Sequence, residues 1–444
     1  MGQTEVSAVP ERARQETDAT GGERRKLWWT EASIWTERMV SALENGVKGG
    51  KWFSLVDKVI RPATLNAAWQ RVARNKGAAG VDGQDTERFS IHAERYLHEL
   101  QVSLEDGSYR PQPVKRVEIP KGDGRTRPLG VPVVKDRIVQ TALKMVIEPV
   151  FETQFRPGSY GFRPGRSCKD ALREVDRLLR EGCTYVVDAD LKSYFDTIPH
   201  DRLMALVSGS ISDGRVLGLI EGFLRQDIMQ GMERWRPTTG TPQGAVISPL
   251  LANLYLHPLD LLMEQSGRRM VRYADDFVIL CRTEDEAQAA LRDVAAWVAE
   301  NGLTLHPDKT RIGDSREPGQ GFDFLGYRFE AGTRLVRKKS LMALKGKVRS
   351  RTGRSRGVSL GRIIDDLNPV LRGWFGYFQH ATPGVFRAID GLVRRRLRAI
   401  LRKQEKRPGF GRCKADHQRW PNAFFAERGL FTLQTAYVQA RYSR

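Results

Sequence analysis

The chain has 444 residues, of which 40% are hydrophobic and 28% are charged. This length and composition suit a globular protein of roughly two to four domains and exclude a chain that is disordered throughout. The formal net charge is +20, from 73 Lys and Arg against 53 Asp and Glu, which favours a polyanion as the partner.

The positive charge is concentrated in the last quarter of the chain. Residues 331–444 carry 27 Lys and Arg but 6 Asp and Glu, a net charge of +21, and residues 1–330 carry a net charge of −1. A surface that serves only solubility mixes its charges more evenly. We therefore expect a nearly neutral body followed by a cationic module.

The cysteines and the hydropathy pattern indicate a reducing compartment. Cys168, Cys183, Cys281 and Cys413 form no CxxC pair, so neither a disulfide framework nor a zinc ribbon is predicted. No apolar run approaches the ~18 residues that span a bilayer, and the N-terminus lacks the apolar core of a signal peptide. We expect a cytoplasmic protein without membrane contact.

Taken in chain order, residues 1–25 are polar and are predicted to form a disordered tail. The spacing of the apolar residues predicts an amphipathic helix from Leu27 to Val40 and a second helix from Leu55 to Val72, broken at Pro62. Strand-like and helical segments then alternate as far as residue 330, and Arg- and Lys-rich helices follow. The sequence predicts an α+β core with a basic helical appendage.

Two adjacent carboxylates, Asp275 and Asp276, follow Tyr273 and Ala274 at the tip of a predicted hairpin. Ionised carboxylates side by side repel each other, and a divalent cation relieves that repulsion. The pattern therefore favours a metal site for phosphoryl chemistry, with a solvated turn as the alternative.

A site for two metals about 3.5–4 Å apart needs a further carboxylate from another element. Residues 183–191 form a predicted strand, whose period of two places Asp188 and Asp190 on one face. Asp190 is the predicted ligand, with the carbonyl of Leu191 as an additional one. Asp188 and Asp196 are predicted to be structural, as a strand-end charge and a turn or cap group, with direct catalysis as the alternative.

The order of these segments resembles motifs A, B and C of reverse transcriptases, in Asp190-Leu-Lys-Ser-Tyr-Phe-Asp196, Pro242-Gln-Gly244 and Tyr273-Ala-Asp-Asp276. The finer resemblance is to reverse transcriptases encoded by bacterial group II introns. It rests on further blocks from residue 127 to the thumb: Arg127-Pro-Leu-Gly-Val-Pro132, Ser159-Tyr-Gly-Phe-Arg163, Leu305-His-Pro-Asp-Lys309, Phe324-Leu-Gly-Tyr327 and Leu367-Asn-Pro-Val-Leu-Arg-Gly-Trp374.

The resemblance implies a right-hand polymerase, with α+β fingers and palm (an antiparallel sheet plus helices) followed by an α-helical thumb or maturase-specific domain. The expected bounds are 26–330 for fingers and palm, including an N-terminal extension at 26–84, then 331–405 for the thumb and 406–444 for a short basic DNA-binding domain. The metal-binding cysteine and histidine pairs of the endonuclease that many relatives carry are not found, so no cleavage of its own target strand is expected.

The implied activity is RNA-directed DNA polymerisation from dNTPs with two Mg²⁺ ions, or Mn²⁺ as a substitute. The implied partners are a group II intron RNA, as template and splicing substrate, and a DNA primer at a DNA target, in the bacterial cytoplasm or nucleoid. As a maturase the protein would assist splicing and intron mobility. The oligomeric state stays open, as do two alternatives: a domesticated enzyme of DNA repair or defence, and a splicing-only maturase.

The resemblance also assigns residues around the nucleotide. Phe195 would exclude the 2′-hydroxyl of a ribonucleotide, and Gln243 and Gly244 would contact the nascent base pair, with a core aromatic and an ordinary turn as the alternatives. Lys121 and Arg127, on an apparent hairpin, would close on the triphosphate, with simple solvation as the alternative.

The remaining predicted contacts come from basic side chains. Lys309 would donate a proton to the pyrophosphate. Arg163 and Arg166 would contact template phosphates or brace the fingers, and an internal salt bridge is an equal alternative. Four arginines of one long basic helix are predicted to bind phosphates: Arg394, Arg395, Arg396 and Arg398.

Overall fold

The computed structural model describes residues 28–47, 49–120 and 126–442, so the predicted tail and Lys121 lie outside the described residues. Helices build the N-terminal region: α1 (Glu37–Asn45), α2 (Val56–Val59), α3 (Pro62–Arg74), α4 (Thr86–Ser90) and α5 (Ala93–Glu105). The break at Pro62 is confirmed, because this proline opens α3, where its missing N–H leaves no hydrogen bond unmade.

The predicted first helix is wrong in its bounds. Residues 28–35 form turns, and α1 begins at Glu37. Trp35 is fully buried, and its indole nitrogen donates to the carbonyl oxygen of Met145, 3.1 Å away. The apolar residues of this segment are therefore placed by tertiary contacts rather than by a helical stripe.

The fingers carry a four-stranded sheet and two long helices. Its strands are β1 (Val114–Pro120), β2 (Thr126–Val131), β4 (Ile228–Gln230) and β5 (Glu233–Trp235), in the order β2-β1-β4-β5. The strands β1 and β2 form the expected antiparallel hairpin, in which Ile119 pairs with Arg127. The helices are α6 (Val134–Glu152) and α7 (Cys168–Arg180).

The palm is built on an antiparallel sheet in the order β6-β7-β3-β8. The strands are β3 (Tyr185–Asp190), β6 (Arg269–Tyr273), β7 (Asp276–Cys281) and β8 (Arg311–Asp314). Its helices are α8 (Tyr194–Thr197), α9 (His200–Ser210), α10 (Gly214–Leu224), α11 (Ser248–Gln265) and α12 (Glu284–Glu300).

The thumb region begins with a three-stranded sheet, β9 (Phe322–Phe324), β10 (Tyr327–Glu330) and β11 (Thr333–Val336). Six helices follow: α13 (Lys338–Arg351), α14 (Leu360–Phe378), α15 (Gly384–Gln404), α16 (Lys414–Arg419), α17 (Asn422–Glu427) and α18 (Leu433–Tyr442). The α+β class with a helical C-terminal region is confirmed. Within the described part of the chain, no helix is both long and apolar enough to cross a bilayer.

The two faces of the palm sheet belong to different hydrophobic cores. Along β3, Val187 and Ala189 join the core formed with the fingers and palm helices, whereas Val186 joins the core of the thumb. Since successive side chains of a strand point to opposite faces, Asp188 and Asp190 lie on the thumb-facing side with Val186. The carboxylates thus lie at the end of this face of the sheet, next to the part that the thumb core covers.

Candidate active site

The two carboxylates predicted at a hairpin tip do lie there. β6 ends at Tyr273, β7 begins at Asp276, and these two residues pair across the hairpin. Ala274 adopts a positive φ of 59°, a left-handed conformation that is unfavourable for a residue with a Cβ. The turn is therefore strained locally and must be held by its surroundings.

A buried arginine holds the turn from beneath. Arg272 is fully buried, and its guanidinium donates to the carbonyl oxygen of Ala274 at 2.9 Å. The same guanidinium pairs with both carboxylate oxygens of Asp260 on α11, at 2.7 and 2.5 Å, and donates to Asn253 at 2.9 Å and to Ser159 at 2.8 Å. A buried charge is tolerated only when it is paired and hydrogen-bonded in this way.

The segment 158–162 supports the other side of the turn. Tyr160 donates its N–H to the carbonyl oxygen of Arg272 at 2.8 Å, and Asn253 donates to the carbonyl oxygen of Gly161 at 2.7 Å. A Cβ at Gly161 would collide with the backbone of Ala274 and would lie 2.8 Å from the carbonyl carbon of Tyr273. Only glycine allows this close approach.

Asp190 lies directly across the sheet from the turn. In the register of β3 and β7, Asp190 pairs with Asp276, which confirms that the two carboxylates come from neighbouring strands. The backbone carbonyl of Asp190 accepts the N–H of His306 at 2.7 Å, and the Lys309 ammonium forms an ion pair with the Asp190 carboxylate. Leu191 is 3% exposed and bridges to Leu305, and its carbonyl as a metal ligand stays a prediction.

The carboxylates raise one another's pKa values. Asp276 is exposed at the start of β7, with the protein close on several sides. This desolvation, together with the charges of Asp188, Asp275 and Asp190, raises the pKa of Asp276 to about 7. Burial also raises the pKa of Asp275, with a smaller contribution from Asp190. The negative charges are therefore close enough to repel one another.

This cluster fits divalent cations that share their coordination with a substrate. Within the described residues, no three His, Cys, Asp or Glu side chains converge closely enough to enclose a metal ion. Mg²⁺ is commonly held by one or two carboxylates together with substrate phosphates and water. The repulsion among the carboxylates and the ammonium of Lys309 at Asp190 indicate that this site requires positive charge.

Asp188 and Asp196 have protein partners. Asp188 lies 3.7 Å from the guanidinium of Arg311, and burial raises the pKa of Asp188 to about 6. Asp196 lies in α8 and accepts a hydrogen bond from Gln243 at 3.4 Å. These contacts agree with the structural roles predicted for the two residues.

The predicted nucleotide residues are brought to the same region. Phe195 is the second residue of α8, after Tyr194, and is half-buried, with the two rings 5.5 Å apart. Thr241 donates its N–H to the carbonyl oxygen of Phe195 at 2.6 Å, which joins motif B to motif A. Arg127 is exposed on β2.

Gly244 packs against the fingers, and its predicted contact with the nascent base pair stays a prediction. Its φ is +105°, and a Cβ there would collide with the carbonyl oxygen of Gly130 and lie 2.8 Å from Leu129. Gly130 in turn donates to the carbonyl oxygen of Gln243 at 2.6 Å. The glycine thus lets motif B pack against β2 of the fingers.

Arg163 is buried, which corrects the prediction that it contacts template phosphates, whereas that contact stays a prediction for Arg166. Arg163 has a side chain that is 3% exposed, and it is ion-paired with Glu152 at 2.7 Å. Arg166 donates to the carbonyl oxygen of Pro157 at 2.6 Å and lies over the ring of Tyr160. Both arginines brace the loop beneath the Asp275-Asp276 turn, and Arg163 does so through the internal salt bridge that was the alternative.

The four arginines of α15 do not project together, which corrects a second prediction. Arg396 donates to the hydroxyl of Thr352 and, at 2.9 Å, to its carbonyl oxygen. Arg398 is 2% exposed and donates to the carbonyl oxygen of Trp420 at 2.9 Å. These two side chains join helices of the thumb, whereas Arg394 and Arg395 remain partly exposed.

The sequence reasoning missed Arg272 and its partner Asp260. One signal was available: a charged residue at the position in β6 that shares a face with the buried Met270. A charge at a core position predicts a buried partner. The partner itself, on α11, has no local signal.

Comparisons with known proteins match both halves of the chain. The family model described as "Reverse transcriptase (RNA-dependent DNA polymerase)" matches residues 119–329, and the one described as "Group II intron, maturase-specific domain" matches residues 341–420. "Protein YkfC" of Escherichia coli (strain K12) is 36% identical over 328 residues, which cover 64% of this chain and 84% of that protein.

A second relative extends beyond the matched region. "Group II intron-encoded protein LtrA" of Lactococcus lactis subsp. cremoris is 30% identical over 362 residues, which cover 66% of this chain and 58% of that protein. Among solved structures, a telomerase structure from Candida albicans gives a TM-score of 0.41 at 12% identity, covering 79% of this chain and 68% of that chain.

Proposed function

The chain belongs to the reverse transcriptases that carry a group II intron maturase-specific domain, and from that membership we propose how its carboxylates act. Asp190, Asp275 and Asp276 hold two Mg²⁺ ions, for which Mn²⁺ can substitute, and the carbonyl of Leu191 is a further ligand. When bound, the two ions activate the primer 3′-hydroxyl and stabilise the leaving pyrophosphate.

One observation carries the proposal: the cross-strand pairing of Asp190 with Asp276, beside Asp275. Three negative charges collected at one strand end destabilise the protein unless cations balance them. Bound cations would offset this cost. Desolvation, and after it the charges of Asp188, Asp275 and Asp190, raise the pKa of Asp276 to about 7, as is common at functional sites.

The neighbouring side chains position the substrates. The Lys309 ammonium, 56% exposed and ion-paired with Asp190, is free to swing to the pyrophosphate and donate a proton there. The Phe195 ring forms one side of the pocket in which the sugar of a dNTP would lie. Gln243, which reaches Asp196 at 3.4 Å, contacts the nascent base pair, and Arg127 with Lys121 closes on the triphosphate.

The substrates and partners follow from the family. We propose that the protein copies RNA, and in particular a group II intron RNA, from a DNA primer at a DNA target, and that it binds the same intron to assist splicing. The cationic module beyond residue 330 supports binding to a polyanion. We also propose that it works in the bacterial cytoplasm, where its four free cysteines stay reduced.

The test is primer extension on an RNA template with purified protein. Asp275→Asn keeps the shape of the side chain but removes its charge, and should abolish Mg²⁺-dependent extension while RNA binding persists. Asp188→Asn is the matched control, because Asp188 lies on the same face of β3 but pairs with Arg311, and it should retain most of the activity. Undiminished extension by Asp275→Asn would refute the metal assignment.

A further inference from the structure

A basic cleft lies in the thumb region, far along the chain from the carboxylates. It has a volume of about 310 Å³ and lies between one side of α15 and the segment 411–422. Its lining includes Gly391, Arg394, Arg395, Arg398, Arg412 and His417. We call it the arginine cleft.

Hydrogen bonds and close packing hold the wall of the cleft in place. Arg398 is 2% exposed, donates to the carbonyl oxygen of Trp420 at 2.9 Å and to the side chain of Asn422 at 3.0 Å, and stacks on Phe425. Gly411, with φ at +72°, packs so closely that a Cβ would lie 2.7 Å from the Cβ of Arg398. The segment that carries Arg412 is therefore fixed against α15.

The positive charge of the cleft is poorly neutralised by the protein. Across residues 28–47, 49–120 and 126–442, no ion pair includes Arg395 or Arg412. Arg394 lies 4.0 Å from Asp390, but that carboxylate already accepts the N–H groups of Leu433 and Gln434 at the start of α18.

A second carboxylate near the cleft is also engaged. Asp416 is 1% exposed and is ion-paired with Arg402 at 2.6 Å. Burial lowers the pKa of Arg398 most, the charge of Arg394 lowers it further, and Asp416 opposes both effects. The cleft thus holds more positive charge than its own carboxylates balance.

The shape and donor set suit a phosphate. Guanidinium groups present paired N–H donors that match two phosphate oxygens, and several from different directions can share one group. A cleft of 310 Å³ has room for a phosphate and its adjoining sugar. A free lysine-rich surface would instead contact a strand at many unspecific points.

We propose that the arginine cleft binds a single backbone phosphate of the RNA strand and thereby fixes the path of that strand over the thumb. The identity of the strand as RNA rests on the proposed function. Arg395 and Arg412 would share the phosphate from opposite sides, and Arg394 and Arg398 would supply the positive field behind it. A terminal 5′-phosphate offers the same chemistry and must be separated by experiment.

The test is the salt dependence of binding of a short single-stranded RNA, followed by fluorescence anisotropy. The variants are Arg395→Gln, Arg412→Gln, their double variant and Gly391→Glu. A Cβ at Gly391 meets no atom within 4 Å, so the glutamate should enter the cleft without disturbing α15. The control is Arg419→Gln, since Arg419 lies in the same segment but already pairs with Glu405 at 2.8 Å.

Each single variant should weaken RNA binding about tenfold and lower the slope of log K against log salt by ~0.7, the value for one phosphate of a single strand. The double variant should lose less than the product of the single losses, because both arginines act on one phosphate. Gly391→Glu should lose at least as much affinity, and Arg419→Gln should bind as the wild type does.

Three results would overturn the proposal: multiplicative losses with a slope change of two phosphates, no change in any cleft variant, or losses seen only when the RNA carries a 5′-phosphate. The last result would assign the cleft to a strand end. Wild-type extension of a primer on an RNA template is measured alongside. Its absence would count against the proposed function, whereas the binding data alone decide on the cleft.

Discussion

The guanidinium of Arg272 donates to the carbonyl oxygen of Ala274 at 2.9 Å while it is ion-paired with Asp260 at 2.5 Å. One fully buried side chain thus links α11 to the turn that presents Asp275 and Asp276. The link has two parts, a charge pair that stabilises the fold and a hydrogen bond that orients the turn, and substitutions can separate them.

Replacing Arg272 alone should damage stability and activity together. Arg272→Met leaves the Asp260 carboxylate buried without a partner, which costs about 3–5 kcal/mol and lowers the thermal midpoint. The double variant Arg272→Met with Asp260→Leu removes the stranded charge and should recover much of that midpoint. The primer-extension kcat should stay low in both, with the KM for dNTP less affected, because the carbonyl of Ala274 still lacks its donor. Full recovery of kcat in the double variant would show that Arg272 does not position the turn.

Gly161 should tolerate no side chain. A Cβ at this position would lie 2.8 Å from the carbonyl carbon of Tyr273, so Gly161→Ala should displace the turn and reduce kcat by an order of magnitude or more, roughly the effect of a 1 Å misplacement. Gly209→Ala is the control: Gly209 lies in α9, where a Cβ meets nothing within 4 Å, and alanine there favours the helix. The prediction fails if the two variants extend a primer equally well.

Phe195 should set the preference for deoxyribonucleotides. Its half-buried ring lies in α8, five residues after Asp190 in the chain. Phe195→Ala removes the steric barrier to a 2′-hydroxyl and should raise the ratio of kcat/KM for rNTP over dNTP by about one to two orders of magnitude. Phe195→Tyr, which keeps the ring, should leave the ratio near the wild-type value. An unchanged ratio in the alanine variant would remove the sugar-selecting role.

Lys309 should compete with the metal for Asp190. Because its ammonium already pairs with that carboxylate, Lys309→Met should bind Mg²⁺ more tightly, with a several-fold lower half-saturating concentration in primer extension. Its kcat should nevertheless fall, since the proton donor for pyrophosphate is lost. Lys309→Arg should keep the competition. A half-saturating concentration that is the same in Lys309→Met and the wild type would show that the pair does not limit metal binding.

Asp136 should make the stability of the fingers depend on pH. It is 1% exposed, and burial raises its pKa to about 6, even though Tyr109, Gln112 and Gln226 donate hydrogen bonds to it. A folded-state pKa above the unfolded one gives a contribution that is complete below about pH 4 and is lost as the pH rises through 6.

The contribution amounts to at most ~3 kcal/mol, from a shift of about two units. The thermal midpoint of the wild type should therefore fall between about pH 5 and about pH 8 by more than that of Asp136→Asn, which cannot titrate. Equal pH dependence of the two proteins would assign the effect to other groups.

The carboxylate site could be predicted because its signals are local. A strand with period two placed Asp188 and Asp190 on one face, and a polar pair between two apolar runs marked the hairpin of β6 and β7. Hydrophobic alternation fixes which way a strand faces, and that is enough to bring Asp190 opposite Asp276.

The fate of individual arginines could not be predicted in this way. Arg163 and Arg395 look alike in the sequence, since each stands among glycines or other basic residues. One is buried against Glu152, and the other lines a cleft. The difference is whether a partner distant in the sequence lies beside the arginine. Arg396 is a further example, because it donates to a carbonyl oxygen near the C-terminus of α13. Such distant partners leave no periodic pattern in the sequence. The same limit hid Asp260. It also made the predicted helix begin ten residues before α1, because the contact of Trp35 with α6 is non-local.

The shared core on the thumb-facing side of the palm sheet bears on how the protein is made. Val186 of β3 and Leu433 of α18 belong to one hydrophobic cluster, so the strand that carries Asp190 and the helices of the thumb share a core. Domains fold as units during synthesis. We therefore expect the thumb-facing side of the palm sheet to stay uncovered on the ribosome until the thumb helices have been made.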